Sequence, residues 1–455
     1  MAGKKPHILV FPFPAQGHIN PVLQFSKRLA SRGLRITIIT ITSLAKSMHL
    51  QPCGASIEIE TISDGFDEAE MTYVIQAHLG RFVANVSQNL VNLARKFVSS
   101  GDPPIAIVYD AIMPFCLDVA RKLGIKGAPF FTQACAVSAL YYHYYEGNLK
   151  IGDRLGTTSF SMPATPVMQI GDLPSLIPDR DLYPVFLSQM VNQFSNFQKA
   201  DWLLVNTFDK LEEQVLNWMA SQWPMIKTVG PTIPSVYLDK QLEDDKYYGL
   251  NLFHPSTEAC MKWLDTKEKS SVVYASFGSI ATVGGSQMEE LAMGLKNSNE
   301  NFLWVVRASE ESNLPSNFVA ETSEKGLVVN WYPQLQVLSH QAVGCFLTHC
   351  GWNSTSEAMS LGVPMVVMPQ WTDQTTNAKY IVDVWDVGVR VNVNDKGIIT
   401  REEVVLRIEE VMEGERRDEL RRNAGRWKEL AKEAMDKGGS SDKNIEEFVS
   451  ELVCS

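Results

Sequence analysis

The feature that most constrains the fold of this chain is a repeated order of short apolar strands, loops and helices. In the first half, the apolar runs HILVFPF (residues 7–13) and RITIIT (residues 35–40) flank a helical stretch that stops at Gly33. In the second half, SVVYA (residues 271–275) is followed by a helical stretch and by further apolar runs. Strands that alternate with helices are typical of doubly wound parallel sheets. The sequence therefore predicts two α/β units.

A polar stretch separates the two halves. With 455 residues the chain is too long for one compact core. Residues 236–258 include LDKQLEDDKYY and lack the period of a helix or a strand, so they are predicted to be a linker. This division gives a first domain over residues 1–235 and a second over residues 259–437. Residues 438–455 are predicted to form a closing amphipathic helix.

Composition excludes several classes of protein. The chain has 41 Lys and Arg against 52 Asp and Glu, and its net charge of −11 argues against nucleic acid as a partner. There is no apolar run of about 18 residues, so no integral membrane association is expected. The first apolar run is short and broken by prolines, which favours a buried strand over a signal peptide. Seven scattered cysteines without a CxxC pair indicate a reducing compartment. We expect a cytoplasmic monomer.

Residues 331–374 place aromatic, polar and acidic groups in an unusual order. Trp331 follows an apolar strand, and ligands of open α/β sheets bind beyond the carboxyl ends of the strands. An indole at that place can stack on a flat base. For Trp331 alone, a core position at the end of a strand is the simpler explanation. The groups that follow Trp331 in the sequence favour a contact with a ligand over a core position.

The turn HCGWNS lies between an apolar strand and a helix. Gly351 permits a tight turn and a close approach of the backbone to a ligand. The start of the new helix is a ready site for an anion such as a diphosphate. Further donors come from His349, Asn353 and Ser354. Helix capping would also explain the last two residues, and the two interpretations are compatible.

Acidic and amide groups complete the segment. Glu357 lies on the first turn of the helix, where a carboxylate can accept hydrogen bonds from ribose hydroxyls or simply favour the helix N-terminus. Asp373 and Gln374 follow the apolar run MVVMPQ, and adjacent acceptor and amide groups suit vicinal hydroxyls of a sugar.

His18 and Asp110 are the candidates for acid–base chemistry. His18 lies in PAQGH after the first strand, in a loop before a helix that is expected to start at Pro21 with Asn20 as its cap. A loop histidine is often structural, but this one lies at the functional edge of the sheet and histidine is the usual general base. Asp110 ends another strand of the same sheet, so it is expected to bond His18 and set its tautomer.

The segment 331–374 resembles, almost position by position, the donor-binding signature of plant secondary-product UDP-glycosyltransferases of family 1. The whole chain resembles that family, and most of all the branch that glucosylates small lipophilic acceptors and aromatic acids. The resemblance implies the GT-B fold, in which two Rossmann-like doubly wound α/β domains face a cleft and the last helix crosses back to the first domain. It also implies UDP-glucose as the donor substrate, with no cofactor and no metal ion.

The resemblance assigns roles to individual residues. His18 and Asp110 match the catalytic dyad of the family, and Gln374 at the last position of the signature goes with glucose. The residues expected to bind the UDP-sugar are Gly17, Ser279, Trp331, Tyr332, Gln334, His349, Trp352, Asn353, Ser354, Glu357, Asp373 and Gln374.

The implied reaction is an inverting, metal-independent transfer of glucose to a hydroxyl of a small lipophilic plant metabolite such as a steroid, a triterpene or a phenolic. The product is a β-O-glucoside. A glucose ester on a small carboxylic acid, for example an aromatic acid, is the alternative. The acceptor is expected against apolar residues of the first domain, although for any single one of them core packing is the better explanation: Phe13, Met113, Phe115, Tyr141, Phe186 and Met190.

Other classes of protein share parts of this pattern. A nicotinamide-dependent oxidoreductase would also have Rossmann-like halves, but PAQGH and SFGS stand where the GxGxxG motif is required. A non-catalytic UDP-sugar binder would have no need of both His18 and Asp110. A UDP-sugar epimerase would convert UDP-glucose without an acceptor.

Overall fold

The computed structural model describes residues 5–45, 49–50, 56–66, 79–149, 159–248, 250–251, 257–279 and 282–454. The chain divides into two compact units. Unit 1 comprises Met1–Ile170, Leu176–Leu252 and Glu433–Ser455, and unit 2 comprises Gly171–Ser175 and Phe253–Lys432. Within the described ranges, no helix has both the length and the hydropathy needed to cross a membrane.

The strands form one main sheet in each unit, and every pairing in these two sheets is parallel. In unit 1 the described strands are β1 (His7–Phe11), β2 (Arg35–Ile41), β3 (His49–Leu50), β4 (Ile57–Ile62), β5 (Pro104–Asp110), β6 (Lys126–Phe131), β7 (Leu203–Val205), β8 (Ile226–Thr228) and β9 (Leu250–Asn251). In unit 2 they are β10 (Val272–Ser276), β11 (Asn301–Val305), β12 (Gly326–Val329), β13 (Val343–Thr348), β14 (Met365–Val367) and β15 (Gly388–Arg390). The short strands β3 and β9 pair separately and antiparallel. Central strands such as β1 and β13 are buried along their whole length, as expected for parallel strands covered by helices on both faces.

Helices connect the strands throughout. They are α1 (Gln16–Ser31), α2 (Thr42–Ala45), α3 (Leu79–Ser99), α4 (Phe115–Leu123), α5 (Cys135–Tyr145), α6 (Pro184–Asn192), α7 (Glu213–Gln222), α8 (Thr257–Asp265), α9 (Gly285–Asn297), α10 (Phe318–Thr322), α11 (Gln334–Leu338), α12 (Trp352–Leu361), α13 (Gln374–Lys379), α14 (Arg401–Met412), α15 (Arg417–Met435) and α16 (Ser440–Val453). The predicted fold class, two Rossmann-like α/β domains, is confirmed.

The strand order places one switch point in each sheet. In unit 1 the order is β4-β2-β1-β5-β6-β7-β8, so the chain builds outward from β1 and then returns to add β5 on the other side. In unit 2 the order is β12-β11-β10-β13-β14-β15, and the same reversal occurs between β10 and β13. Loops that leave the carboxyl ends of two such strands diverge and open a crevice for a ligand.

The start of α1 differs from the prediction. The helix begins at Gln16, after an extended Ala15, and not at Pro21 with Asn20 as its cap. The N–H groups of His18 and Ile19 already bond the carbonyl of Ala15, both at 2.9 Å. Pro21 lies inside the helix, where its fixed φ is still helical and its missing N–H removes one hydrogen bond near the helix start. His18 is therefore on the first turn of a helix.

The predicted linker also differs from the structure. Over residues 236–248 the chain belongs to unit 1, because its charged side chains bond helix α1. Arg28 donates to Asp239 at 2.8 Å, and Lys27 donates to Asp245 at 2.8 Å. The boundary falls between Leu252 and Phe253, and residues 249 and 252–256 lie outside the described ranges.

The closing helix α16 packs within unit 1. Phe448 meets the rings of Phe25 and Trp202 at centroid distances of 6.0 and 4.9 Å. The charged region that precedes α16 forms the two helices α14 and α15.

Candidate functional site

The switch point of unit 1 brings His18 and Asp110 together. Asp110 is the last residue of β5 and is fully buried, and His18 follows β1 on the first turn of α1. His18 Nδ1 lies 2.6 Å from Asp110 Oδ2. A contact this short between an imidazole and a carboxylate means that Nδ1 carries a proton and donates it. In the neutral ring Nε2 is then the basic nitrogen.

Further groups orient this pair. Thr132 Oγ1 lies 3.1 Å from the same Nδ1, and the ring of Phe13 meets the imidazole edge-on at 5.3 Å. The N–H of Ile112 donates to Asp110 Oδ1 at 3.2 Å. Sequence reasoning missed Thr132. The available signal was its position directly after β6, the strand beside β5, because neighbouring parallel strands end at one edge of the sheet.

The six predicted acceptor residues lie on several elements of unit 1. Met113 and Tyr141 are 1% and 0% exposed and belong to the core. Phe115 at the start of α4 meets Phe82, Phe186 on α6 meets Tyr183, and the sulfur of Met190 on α6 accepts from Gln133 at 3.7 Å. Phe13 lies against His18, so it is placed best for contact with a substrate.

In unit 2 the turn after β13 is shaped around His349. A Cβ added to Gly278 or Gly351 would stand 2.6 or 2.7 Å from His349 Nε2, so only glycine lets the backbone approach the ring from both sides. Gly278 and Cys350 have positive φ values of 75° and 56°. Desolvation lowers the pKa of His349 to about 4. The imidazole is thus neutral near pH 7 and offers a single N–H donor.

Helix α12 starts at this turn. Its N-cap is Gly351, without a side-chain capping bond, and Asn353 and Ser354 lie inside its first turn. The capping explanation for these two residues is therefore wrong. The N–H groups at the start of a helix do not bond within the helix, and together with the positive end of the helix dipole they give the anion-binding potential that the sequence predicts.

Three predicted residues gather beside the first turn of α12. Gln334, the first residue of α11, donates from Nε2 to Ser354 Oγ at 2.9 Å and to Glu357 Oε2 at 2.7 Å. Glu357 is only 4% exposed, so a buried carboxylate is held by an amide. A ribose hydroxyl is a suitable further partner for such a carboxylate.

The loop after β14 holds Asp373 by both carboxylate oxygens. Thr372 Oγ1 donates to Oδ1 at 2.8 Å, and Asn377 Nδ2 donates to Oδ2 at 2.7 Å. Asn377 also donates to the carbonyl of Cys350 at 2.9 Å, which joins this loop to the turn before α12. Burial raises the pKa of Asp373, and the hydrogen bonds oppose that shift. Sequence reasoning missed Asn377, whose spacing of one helical turn from Asp373 was the available signal.

Gln374 is oriented by the backbone. Its Oε1 accepts from the N–H groups of Gln370 and Trp371 at 2.8 and 3.1 Å. Because the carbonyl side of the amide is held in this way, the NH₂ group is turned to the opposite side as a donor.

The remaining predicted donor residues have different settings. The carbonyl of Ser279 accepts from Arg307 at 2.7 Å. Trp331 is half-buried and lies two residues after the end of β12, and Tyr332 is buried. Trp352 is the first residue of α12, and its indole is 3% exposed and packs against Trp385 at a ring centroid distance of 6.0 Å. Gly17 lies on the first turn of α1, in unit 1.

Comparisons with known proteins agree with this geometry. The family model "UDP-glucoronosyl and UDP-glucosyl transferase" matches residues 249–430, and the model "Glycosyltransferase, N-terminal domain" matches residues 5–51. Mogroside I-E synthase of Siraitia grosvenorii is 50% identical over 98% of both chains. UDP-glucosyltransferase 74AE2 of Panax ginseng is 51% identical over 99% of both chains. Among solved structures, Os79 from O. sativa in complex with UDP has a TM-score of 0.91 and 40% identity, covering 98% of this chain and 100% of that chain.

Proposed function

This chain belongs to the family of plant UDP-glycosyltransferases, and from that premise we propose that it transfers glucose from UDP-glucose to a hydroxyl of a small lipophilic acceptor. It is a glycosyltransferase that takes a UDP-sugar donor and acts on plant metabolites. The choice of glucose, the class of acceptor and the role of each residue are the content of the proposal.

The observation that carries the proposal is the 2.6 Å contact between His18 Nδ1 and Asp110 Oδ2. Asp110 fixes the tautomer in which Nε2 is basic, and it stabilises the imidazolium that forms when Nε2 takes a proton. Nε2 removes the proton of the acceptor hydroxyl. The oxygen then bonds the anomeric carbon of UDP-α-glucose from the face opposite UDP, and the bond from that carbon to the β-phosphate oxygen breaks. UDP leaves with the electron pair, and the product is a β-glucoside.

Unit 2 supplies the proposed donor site. Trp331 stacks on uracil, beside Tyr332 and Gln334, and Glu357 accepts the ribose hydroxyls. The first turn of α12, together with His349, Asn353 and Ser354, binds the diphosphate and stabilises the charge of the leaving UDP. Ser279 lies on the loop that follows β10, the other strand of the switch point, and is proposed to contact the same phosphates. We propose no step that uses a metal ion.

The sugar end of the donor is assigned to the loop after β14. The carboxylate of Asp373 accepts from sugar hydroxyls, and the NH₂ group of Gln374 donates to one of them. The fixed orientation of both side chains supports this assignment, because a sugar is recognised by donors and acceptors in set directions. With Gln at this position we propose glucose as the preferred sugar.

The acceptor is proposed to lie beside His18 and Phe13. Flat or fused apolar rings such as those of phenols, sterols and triterpenes suit an apolar wall of this kind. A small carboxylic acid is the alternative acceptor. It is already ionised near pH 7, so His18 would matter less as a base.

The proposal is tested by incubating the purified protein with UDP-glucose and a panel of phenols, sterols, triterpenes and aromatic acids, followed by LC–MS. Each new hexose adduct is then treated with mild alkali. Alkali-stable adducts are expected. Alkali-labile adducts would mean glucose esters, and conversion of UDP-glucose without any acceptor would mean an epimerase. Intact UDP-glucose with the whole panel would contradict the proposal.

A further inference from the structure

A short segment from the first half of the sequence belongs to unit 2. Gly171–Ser175 clusters with unit 2, although the residues on both sides of it belong to unit 1. We call these five residues the support segment. They bond the chain that runs from Thr372 to Thr376, which includes Asp373 and Gln374. The support segment therefore lies directly behind the loop that the proposed function assigns to the sugar.

Thr372 has a conformation that needs support. Its φ is 57°, in the left-handed region that a β-branched residue rarely adopts. Ser175 holds it through two reciprocal hydrogen bonds. The N–H of Ser175 donates to the carbonyl of Thr372 at 2.8 Å, and the N–H of Thr372 donates to Ser175 Oγ at 2.7 Å. Disfavoured backbone of this kind persists only where its surroundings hold it, and it concentrates at functional sites.

The support segment makes further bonds beyond those of Ser175. Thr375 Oγ1 donates to the carbonyl of Leu173 at 2.5 Å, and Thr376 Oγ1 donates to the carbonyl of Asp172 at 2.7 Å. The carboxylate of Asp172 accepts from Arg390 at 3.0 Å. These bonds anchor the segment independently, so a change at Ser175 leaves the segment in place.

The side chain of Thr372 transmits this support to Asp373. From the left-handed backbone its Oγ1 donates to Asp373 Oδ1 at 2.8 Å, while Asn377 holds Oδ2 at 2.7 Å. These two side-chain donors, together with the backbone N–H groups of Asp373 and Trp352, fix the rotation of the carboxylate. Without the Thr372 bond, Oδ1 loses its side-chain donor and the carboxylate is held less firmly in this rotation.

We propose that Ser175 is a positioning residue for recognition of the donor sugar, acting through Thr372 on the carboxylate of Asp373. The inference rests on the proposed function, in which Asp373 meets the sugar. It also explains why a segment from the first half of the chain is placed behind the donor loop. The uridine and diphosphate contacts depend on other elements, so Ser175 is expected to affect the sugar and to leave UDP alone unaffected.

The test uses the full-length protein without an acceptor. Calorimetry gives the dissociation constants of UDP and of UDP-glucose, and their ratio measures what the sugar contributes. In Ser175→Ala the dissociation constant of UDP-glucose, divided by that of UDP, is expected to rise by about fivefold, which corresponds to the loss of one hydrogen bond. The dissociation constant of UDP itself is expected to stay within about twofold of the wild type. Thr372→Gly keeps a left-handed backbone without the hydroxyl and is expected to do the same.

Two variants distinguish a specific effect of Ser175 on Asp373 from a general stabilisation of the loop after β14. Ser175→Thr retains the hydroxyl and is expected to restore the wild-type ratio. Thr376→Val removes the hydrogen bond from Thr376 Oγ1 to the carbonyl of Asp172 in the same support segment, and its ratio is expected to stay that of the wild type. An unchanged ratio in Ser175→Ala, or an equal change in Thr376→Val, would overturn the inference. A wild-type protein that binds UDP-glucose but glucosylates nothing would instead refute the proposed function, and the ratio would still decide the role of Ser175.

Discussion

The two units share one topology but differ in the chemistry at their switch points. At the carboxyl ends of β1 and β5 in unit 1, an imidazole and a buried carboxylate lie 2.6 Å apart. At the carboxyl ends of β10 and β13 in unit 2, two glycines lie against His349 beside the start of α12. Under the proposed function, a base for proton removal and a binding site for an anion occupy equivalent places in the two units. The reversal of strand order creates the crevice, and the side chains at the loop ends decide its use.

The largest effect is expected from removing the base in unit 1. His18→Ala should lower kcat for a hydroxyl acceptor by about 1000-fold, within the usual range for general-base catalysis. Turnover with a phenolic acceptor, followed by LC–MS, measures this. A variant that retains near-full activity on alcohols would contradict the assignment of proton removal to the switch point of unit 1.

A smaller loss is expected when only the partner of the base changes. Asp110→Asn keeps the size of the side chain but removes the charge that stabilises the imidazolium, so kcat should fall by about 100-fold or more. The same assay measures this loss of kcat. Comparing a phenol with an aromatic acid as the acceptor tests whether the loss comes from proton removal. An acid acceptor, already ionised, should lose less activity than the phenol in both the His18 and the Asp110 variants.

In unit 2, the expected loss is in donor affinity. Glu357→Ala removes a buried carboxylate held by Gln334 and proposed to bind ribose, so the dissociation constant of UDP should rise by about 10-fold to 50-fold. Calorimetric titration with UDP provides the measurement. Glu321→Gln, an exposed partner of Lys296 in the same unit, is the matched control and should bind UDP like the wild type. Equal affinity in all three proteins would remove Glu357 from the donor site.

Donor choice should respond to a single residue of the loop after β14. Gln374→His is expected to shift the ratio of kcat/KM for UDP-glucose to that for UDP-galactose by about tenfold toward galactose, or about 1.4 kcal/mol. Initial rates with both donors and one acceptor give this ratio. A ratio equal to that of the wild type would contradict the role of Gln374.

The smallest effect concerns pH and stability. The pKa of His349 is about 4 in the folded chain and about 6.5 in an unfolded one, so only the unfolded state takes up a proton between these values. This contribution to the free energy of unfolding is present above the unfolded pKa and is lost as the pH falls toward 4. Between pH 7 and pH 6 the loss is about 0.7 kcal/mol. Urea denaturation at both pH values should show this extra loss in the wild type relative to His349→Asn. An equal change in the free energy of unfolding in both proteins between pH 7 and pH 6 would contradict it.

The sequence predicted the parts of the molecule that depend on local pattern. Apolar runs located the central strands, and the order of groups after β12 and β13 located residues that the structure brings together, such as Gln334, Ser354 and Glu357. The start of α1 differs from the prediction because Pro21 is typical of a first helical residue, whereas backbone bonds begin the helix more than a turn earlier.

What the sequence did not predict depends on contacts between distant residues. The charged stretch after Pro234 looked like a linker because its partners, Lys27 and Arg28, lie more than 200 positions away. Thr132 beside His18 and Ser175 behind Thr372 were missed for the same reason, with sequence separations of 114 and 197. No local pattern marks a hydroxyl whose partner is set only by the tertiary fold.

A calorimetric titration of UDP into the His18→Ala protein separates the two roles. Donor binding is proposed at the switch point of unit 2, and proton removal at that of unit 1. We therefore expect the variant without turnover to bind UDP with a dissociation constant within about twofold of the wild type, a difference below about 0.5 kcal/mol. Loss of UDP binding together with loss of transfer would contradict the separation of the two roles.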